Sequence, residues 1–499
     1  MIRILSAAEY AAQRSAGRYA AKHTDAVQTE RSSQPSGAGQ SAEKAATSET
    51  ASQPSGAGQS AEKAATSDIA SKPSGADLSA EQAATSETAT NAASVTAVVA
   101  DVIANVKRRG DEALREYTKA FDNCDLSSFE LSPDALDAAL KNAGNGFAGV
   151  MERAARNIED FHRHQIRQGF IMTSEGGTVM GQRIIPLSRA GIYIPGGTAA
   201  YPSSVLMNCI PAKLAGVGEI IMATPPSREG VNSAEILAAA KIAGVDRVFT
   251  IGGAQAIAAM AYGTETVPRV EKITGPGNAY VAEAKRQVFG VVGIDIIAGP
   301  SDILVIADGG ADPVPVAADM LSQCEHGADS SAVLITDNAE LASRVRAEIE
   351  EQLASLPRGT AARIAIDKNS MIVIADSIRQ AVDISNEIAP EHLELFLDEP
   401  FAWLDSVKSA GSVFLGKNTP EALGDYCAGP NHTLPTSGAA RFASPLSVDD
   451  FTKKSSFTYF TKEALQNIAD DVICFAEMEG LSAHGESVKK RISRDPEKA

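Results

Sequence analysis

The chain has 499 residues and 44% hydrophobic content, room for roughly two to four domains with a sizeable core. Its formal net charge of −18 argues against a nucleic-acid partner, because a phosphate backbone requires a basic surface. No run of about 18 apolar residues suggests a membrane span. The five cysteines (124, 209, 324, 427 and 474) are scattered without a CxxC pair, which suits free thiols in a reducing cytoplasm rather than a disulfide framework.

The N-terminus, "MIRILSAAEYAAQRSAGRYAAKH", is too interrupted by charge for a secretory apolar core. Its Arg and Ala content has a trace of transit-peptide character, against which Glu9 counts. Residues 33–51, 52–70 and 71–89 then repeat one another with a period of 19, beginning "SQPSGAGQSAEKAATSETA". Across the three copies the only large aliphatics are Ile69 and Leu78, and there is no aromatic residue. Such a segment buries too little apolar surface to offset the entropy of ordering it, and it lacks the apolar face of a solenoid repeat. It reads as a disordered insert over about 21–92, either a passive linker or a tether for a partner.

From about residue 93 the texture changes. "SVTAVVADVIANVKRRGDEALREYTKAF" has helical apolar spacing, punctuated at Gly110–Asp111. Strand and helix then alternate. "GIYIPGG" (191–197) precedes the helix "SSVLMNCIPAKLAG" (203–216), and "EIIMATPP" precedes a helix at "NSAEIL", where Asn232 and Glu235 have capping-box spacing. "DRVFTIGG" precedes "AQAIAAMAYG", "KITGPG" precedes "NAYVAEAKRQVF", and "GIDIIAGPSDILVIAD" adds strand. This order implies βαβ units, parallel sheets covered by helices, and ligands beyond the carboxyl ends of the strands. "IPGGT", "IGGAQ", "TGPGN" and "AGPS" would stand there. They are either phosphate-approaching loops at helix N-termini or simple tight turns.

"DPVPVAADMLSQCEHG" is expected to form a helix capped by Asp312, with Pro313 at its first position and Gly327 just past its end. On it Gln323 and His326 would share a face, with Cys324 rotated about 100° away. An amide oxygen and an imidazole at this spacing suit a metal such as Zn²⁺, if other segments complete the shell. The plainer reading is a polar last turn with a surface histidine. In "APEHLEL", Glu391 and His392 offer adjacent proton acceptors of different strength, or else mark a helix N-terminus. Asp425 in "ALGDYCAG" is a hard oxygen donor in a glycine-flanked loop. Cys427 has nothing basic beside it to activate a thiolate. His432 in "PNHTLPT" has a functional setting without an assignable role.

Taken together, "YIPGGTAAYPSSVLMNCIPAKLAG", "IGGAQAIAAMAYGTETVP", "KITGPGNAYVAEAKRQV", "LSQCEHGADS", "ISNEIAPEHLEL", "GDYCAGPNHTLPTSGAAR" and "LSAHGES" resemble the histidinol dehydrogenase family, in family order over about 93–499. The repeats lie outside that pattern. The resemblance implies oxidation of L-histidinol to L-histidine, through the aldehyde and its hydrate, by two NAD⁺-dependent hydride transfers, the last steps of histidine biosynthesis. It implies one Zn²⁺ per site held by Gln323, His326, Asp425 and His484, with Glu391 and His392 as the catalytic pair. Substrate contacts would come from Ser301, His392 and Glu479 together with the metal ligands. Cofactor contacts would come from Tyr193, Gln255 and Asn278. The implied fold is α/β, with two incomplete Rossmann-like domains and small terminal pieces. Residues 1–20 would be an N-terminal segment, 93–192 with 301–446 the first domain, 193–300 the second, and 447–499 a C-terminal tail. In a cytoplasmic homodimer that tail would cross over and donate Glu479 and His484 to the partner's site. Whether residues 1–20 dock beside so long an insert is not decided by sequence. Two rivals use the same residues: a zinc hydrolase with Glu391 activating water, and a non-catalytic metal-binding scaffold.

Overall fold

A computed structural model describes residues 1–15, 94–196, 201–226 and 232–492. The repeat insert expected over 21–92 lies outside the described residues. Fourteen strands are described: β1 (Arg3–Ser6), β2 (Phe170–Ser174), β3 (Thr178–Pro186), β4 (Arg189–Tyr193), β5 (Glu219–Thr224), β6 (Arg247–Thr250), β7 (Lys272–Thr274), β8 (Gly293–Ile294), β9 (Asp302–Ala307), β10 (Ser331–Thr336), β11 (Met371–Ile374), β12 (His392–Phe396), β13 (Ser412–Leu415) and β14 (Thr452–Tyr459). They form a parallel six-stranded sheet ordered β1-β11-β10-β9-β12-β13 and a parallel five-stranded sheet ordered β6-β5-β4-β7-β8. A third sheet, β14-β3-β2, is antiparallel.

The two parallel sheets are apolar on both faces, as sheets covered by helices must be. In the five-stranded sheet Ile221 and Ala223 of β5 face one core, with Phe249 and the helices 94–109, Asp111–Asp122 and Gly253–Tyr262. Ile220 and Met222 face the other, with the helices Pro133–Asn142, Asn145–Arg163, Pro202–Ala215 and Ala234–Ala243. The six-stranded sheet repeats this: Ile303 and Val305 pack one way, Leu304 and Ile306 the other. The period of two along each strand sorts these residues.

The N-terminal segment docks. β1 pairs in parallel with β11, and Ile2 and Tyr10 are buried. Residues 1–15 thus form the outer strand of the six-stranded sheet and a helix, Ala7–Ser15, beside it.

Four local expectations are corrected. The helix at 234–243 is capped by Ser233, whose hydroxyl accepts from Ile236 N–H. Asn232 instead accepts from Thr250 Oγ1 at 2.8 Å and donates to the end of β5, so its amide joins two strands rather than starting a helix. The helix Pro313–Cys324 begins as expected, with Asp312 accepting from Val314 N–H, but closes before Gly327 and leaves His326 in the following turn. "APEHLEL" is not a helix start, because His392 opens β12. "AGPS" likewise precedes β9 instead of ending a strand.

Candidate active site

The strand directions place the site. The carboxyl ends of β4 and β7 and the amino ends of β9 and β12 face one open cleft of about 510 Å³. The five-stranded sheet therefore obeys the expected polarity, whereas the six-stranded sheet presents its amino ends. The cleft is lined by Ser301, Gln323, His326, Glu391, His392, Asp425 and His432 on one side and by the loop 275–278 on the other. Gln323, His326, Asp425, Glu391, His392, Ser301 and Asn278, all expected from sequence, are brought together here.

Glu391 and His392 are 5% and 4% exposed. A reciprocal clasp holds them to β9: Glu391 N–H donates to Asp302 Oδ1 at 2.8 Å, and Asp302 N–H donates to Glu391 Oε2 at 3.1 Å. Burial raises the Glu391 carboxyl well above its ordinary range, with Asp302 adding like-charge repulsion. Asp302 itself is pushed up to about 6 by burial. His392 Nδ1–H donates to the Asp302 carbonyl at 3.1 Å, which fixes the tautomer and leaves Nε2 as a bare lone pair. That Nε2 is buried without a hydrogen-bond partner, 3.7 Å from Glu421 Oε1 and 3.9 Å from Asp425 Oδ1. Burial lowers the imidazole to about 4, so it stands neutral.

Asp425 lies on the short helix Glu421–Tyr426 rather than in a loop. One turn earlier on that helix is Glu421, which sequence reading missed although its i, i+4 spacing from Asp425 was visible. Glu421 N–H donates to Glu394 Oε1 at 2.7 Å, and Ser322 Oγ donates to Glu421 Oε2 at 3.2 Å. Burial, then the Asp425 charge, pushes the Glu421 carboxyl up to about 8. His432 braces Asp425. Its Nδ1–H donates to the Asp425 carbonyl at 3.0 Å, and Nε2 accepts from Ser204 Oγ at 3.2 Å.

The donor set fits a divalent metal. Gln323 Oε1 is buried without a partner, as are His392 Nε2 and Glu421 Oε1. His392, Glu421 and Asp425 offer donor atoms within 4.8 Å of one another. Orphaned buried acceptors of this kind cost free energy unless a cation or donor meets them. This trio shares only Asp425 with the four ligands expected from sequence. Cys324 is fully buried and turned into the core beside Ser370, and burial pushes its thiol up to about 12.

The remaining expected residues lie elsewhere. Tyr193 is buried at the end of β4, its hydroxyl accepting from Gly253 N–H at 3.0 Å, and burial raises the phenol to about 12. Gln255 is buried in the helix Gly253–Tyr262. Glu479 and His484 are exposed, around the junction of the helices Lys462–Met478 and Ser482–Ile492, and do not line the cleft of their own chain. Exposed Phe475, Met478 and Leu481 accompany them. No helix of the described residues is long and apolar enough to cross a membrane.

Against this geometry the comparisons agree with one another. The sequence model of the family Histidinol dehydrogenase matches residues 85–492. A histidinol dehydrogenase of Clostridium acetobutylicum is 50% identical over 400 residues, covering 80% of this chain and 93% of the relative. One of Bacillus cereus is 53% identical over 397 residues, covering 80% and 92%. The crystal structure of histidinol dehydrogenase from Elizabethkingia anophelis superposes with a TM-score of 0.76 at 42% identity, over 79% of this chain and 91% of that one. With the family's sequence pattern spanning the five-stranded sheet, every strand of the six-stranded sheet but β1, and the cleft between their strand ends, the chain belongs to the histidinol dehydrogenase family.

Proposed function

We infer that this protein oxidises L-histidinol to L-histidine, the closing steps of histidine biosynthesis, with NAD⁺ as the electron acceptor and one Zn²⁺ per site. The observation that carries the reading is the buried Glu391–His392 pair, with His392 Nε2 bare at the floor of a cleft whose donors suit a metal. Of this chain's residues, Gln323, His326 and Asp425 would hold the ion. Glu421, one turn before Asp425 on the same helix, would stand behind the ligands as an outer carboxyl group. When bound, the metal supplies a template that fixes the imidazole and amine of histidinol.

The protein's own groups then divide the work. His392 accepts the alcohol proton at Nε2, because its Nδ1–H is tied to the Asp302 carbonyl. Glu391, one residue earlier and facing the same cleft, takes a proton from the water that hydrates the aldehyde before the second oxidation. Its raised pKa makes it a strong base once ionised, suited to that step. The loop 275–278 and Asn278 supply one wall for the dinucleotide. Tyr193 and Gln255 are read as shaping that wall from beneath.

The chain is further read as a cytoplasmic homodimer in which residues 447–499 cross over, so that Glu479 and His484 complete the partner's site. Support comes from the exposure of both residues outside their own cleft, next to exposed Phe475, Met478 and Leu481. An apolar hollow at the mouth of the cleft, lined by Phe147, Val150 and Tyr426 together with His326, offers such a tail a seat.

The deciding experiment is the stoichiometry of NADH formed per L-histidinol consumed by zinc-replete protein. Two NADH and free histidine are expected. One NADH with released aldehyde would remove the hydration role of Glu391. No NADH with zinc bound would overturn the reading.

A further inference from the structure

We propose that the buried ion pair Lys285–Asp295 is a positioning pair that fixes the loop 275–278 in the shape that receives the dinucleotide; this rests on the NAD-dependent oxidation proposed above. Lys285 lies in the helix Ala279–Val288, and Asp295 follows β8. Each side chain is 2% exposed, a rare placement for two charged groups.

The pair is held by one glycine. Gly275 N–H donates to Asp295 Oδ2 at 2.7 Å, and Lys285 Nζ donates to the Gly275 carbonyl at 2.9 Å. The peptide planes on both sides of Gly275 are therefore fixed by opposite charges that also pair with each other. The backbone there needs such fixing. Gly275 has φ +116°, and a Cβ built on it would stand 2.0 Å from the Tyr193 carbonyl oxygen, so the chain lies flush against the end of β4 in a conformation only glycine adopts. At the other end of the loop Asn278 accepts from Tyr280 and Val281 N–H and so begins the helix that carries Lys285. Strand end, glycine, cap and helix form a closed circuit through the ion pair. Gly275, Pro276, Gly277, Asn278 and Asp295 all line the cleft, opposite His392.

A charge pair with both members buried is a costly way to stabilise a core. Hydrophobic groups of similar volume often serve stability equally well or better. What they cannot do is satisfy a peptide N–H and its carbonyl at the same time. The use of Lys and Asp here matches a demand on loop geometry, and the loop is the wall of the cleft away from the metal donors. The pair should therefore govern the dinucleotide and leave histidinol and zinc alone.

The test is the full-length, zinc-replete double variant K285M/D295L, which removes both charges and keeps the volume filled. The positioning role predicts that it folds with normal zinc content and a histidinol KM within about twofold of the parent. Its KM for NAD⁺ should rise at least about tenfold, with a matching loss of NAD⁺ binding by calorimetry. A folded double variant with unchanged NAD⁺ affinity, or with both KM values raised equally, would overturn the proposal. If the double variant does not fold, Asp295→Asn gives the same readout. It keeps an acceptor for Gly275 but unbalances Lys285, and a rise in the NAD⁺ KM of about threefold or more is expected. No change would again overturn it. A parent protein that makes no NADH from histidinol sinks the proposed function and this inference together, an outcome distinct from failure of the variants alone.

Discussion

Asp302→Asn should make the protein more stable above pH 6 and leave it unchanged near pH 4. The Asp302 carboxyl, ordinarily near 3.8, is pushed up to about 6 by burial. Below 3.8 it is protonated in both folded and unfolded chains and contributes nothing. Between 3.8 and 6 the unfolded chain releases a proton that the folded chain keeps, so stability falls as pH rises through that window. Above 6 the full cost of holding a buried carboxylate is in place. About two pKa units at 1.36 kcal/mol each give roughly 3 kcal/mol. For the roughly 400 described residues with an unfolding entropy of about 2.1 cal/mol/K per residue, that is a Tm gain of about 3 to 4 °C. Asparagine can still accept from Glu391 N–H, and the carbonyl that holds His392 Nδ1 belongs to the backbone. Thermal unfolding of parent and variant across pH 5 to 8 reads the effect. A gain that is the same at pH 5 and pH 8, or a loss at pH 8, would refute the reasoning. The same substitution removes the like charge that raises Glu391. The acid limb of turnover should therefore move to lower pH.

His392→Asn keeps a donor near the Asp302 carbonyl but deletes the bare Nε2, so kcat should fall about 10²–10⁴-fold with little change in zinc content; a loss under tenfold would remove His392 as the base. Gln323→Ala should weaken zinc retention, read by metal analysis after dialysis against a chelator, because it deletes a buried oxygen that has no other partner. Full retention would take Gln323 out of the ligand set. Mixing inactive His392→Asn and His484→Asn subunits tests the crossed tail. Donation between subunits leaves one intact site in each hybrid dimer and restores about a quarter of parental activity at random pairing, whereas donation within a chain restores none.

Much of this site was legible because its residues sit in short, chemically loaded strings. Gln323, His326, Glu391, His392 and Asp425 could be named from neighbours a few positions away, and all five meet in one cleft. What could not be read were relations between distant strands. Asp302 and Glu391 clasp across 89 positions because β9 and β12 are adjacent and in register, and no local pattern encodes that register. The polarity of the six-stranded sheet was hidden for the same reason: "APEHLEL" carries its chemistry at the amino end of its strand. No local pattern marks Lys285 and Asp295 as a buried pair. Their burial follows from the glycine between them, whose role shows only once β4 lies beneath it.

The docking of β1 against β11 has a consequence for how this chain can change over generations. Ser15 ends a helix on the six-stranded sheet, and residue 94 begins one packed on the five-stranded sheet. The 19-residue repeats lie between two attachment points that are each fixed by their own core. Slippage during replication can then add or remove a whole copy while both ends stay seated. For a flexible connection of the kind its sequence leads one to expect, one more 19-residue copy changes the loop-closure free energy by on the order of a few tenths of a kcal/mol, because that term grows only with the logarithm of length. Copy number is close to neutral for folding, and a tract of near-identical units can accumulate without disturbing the catalytic groups.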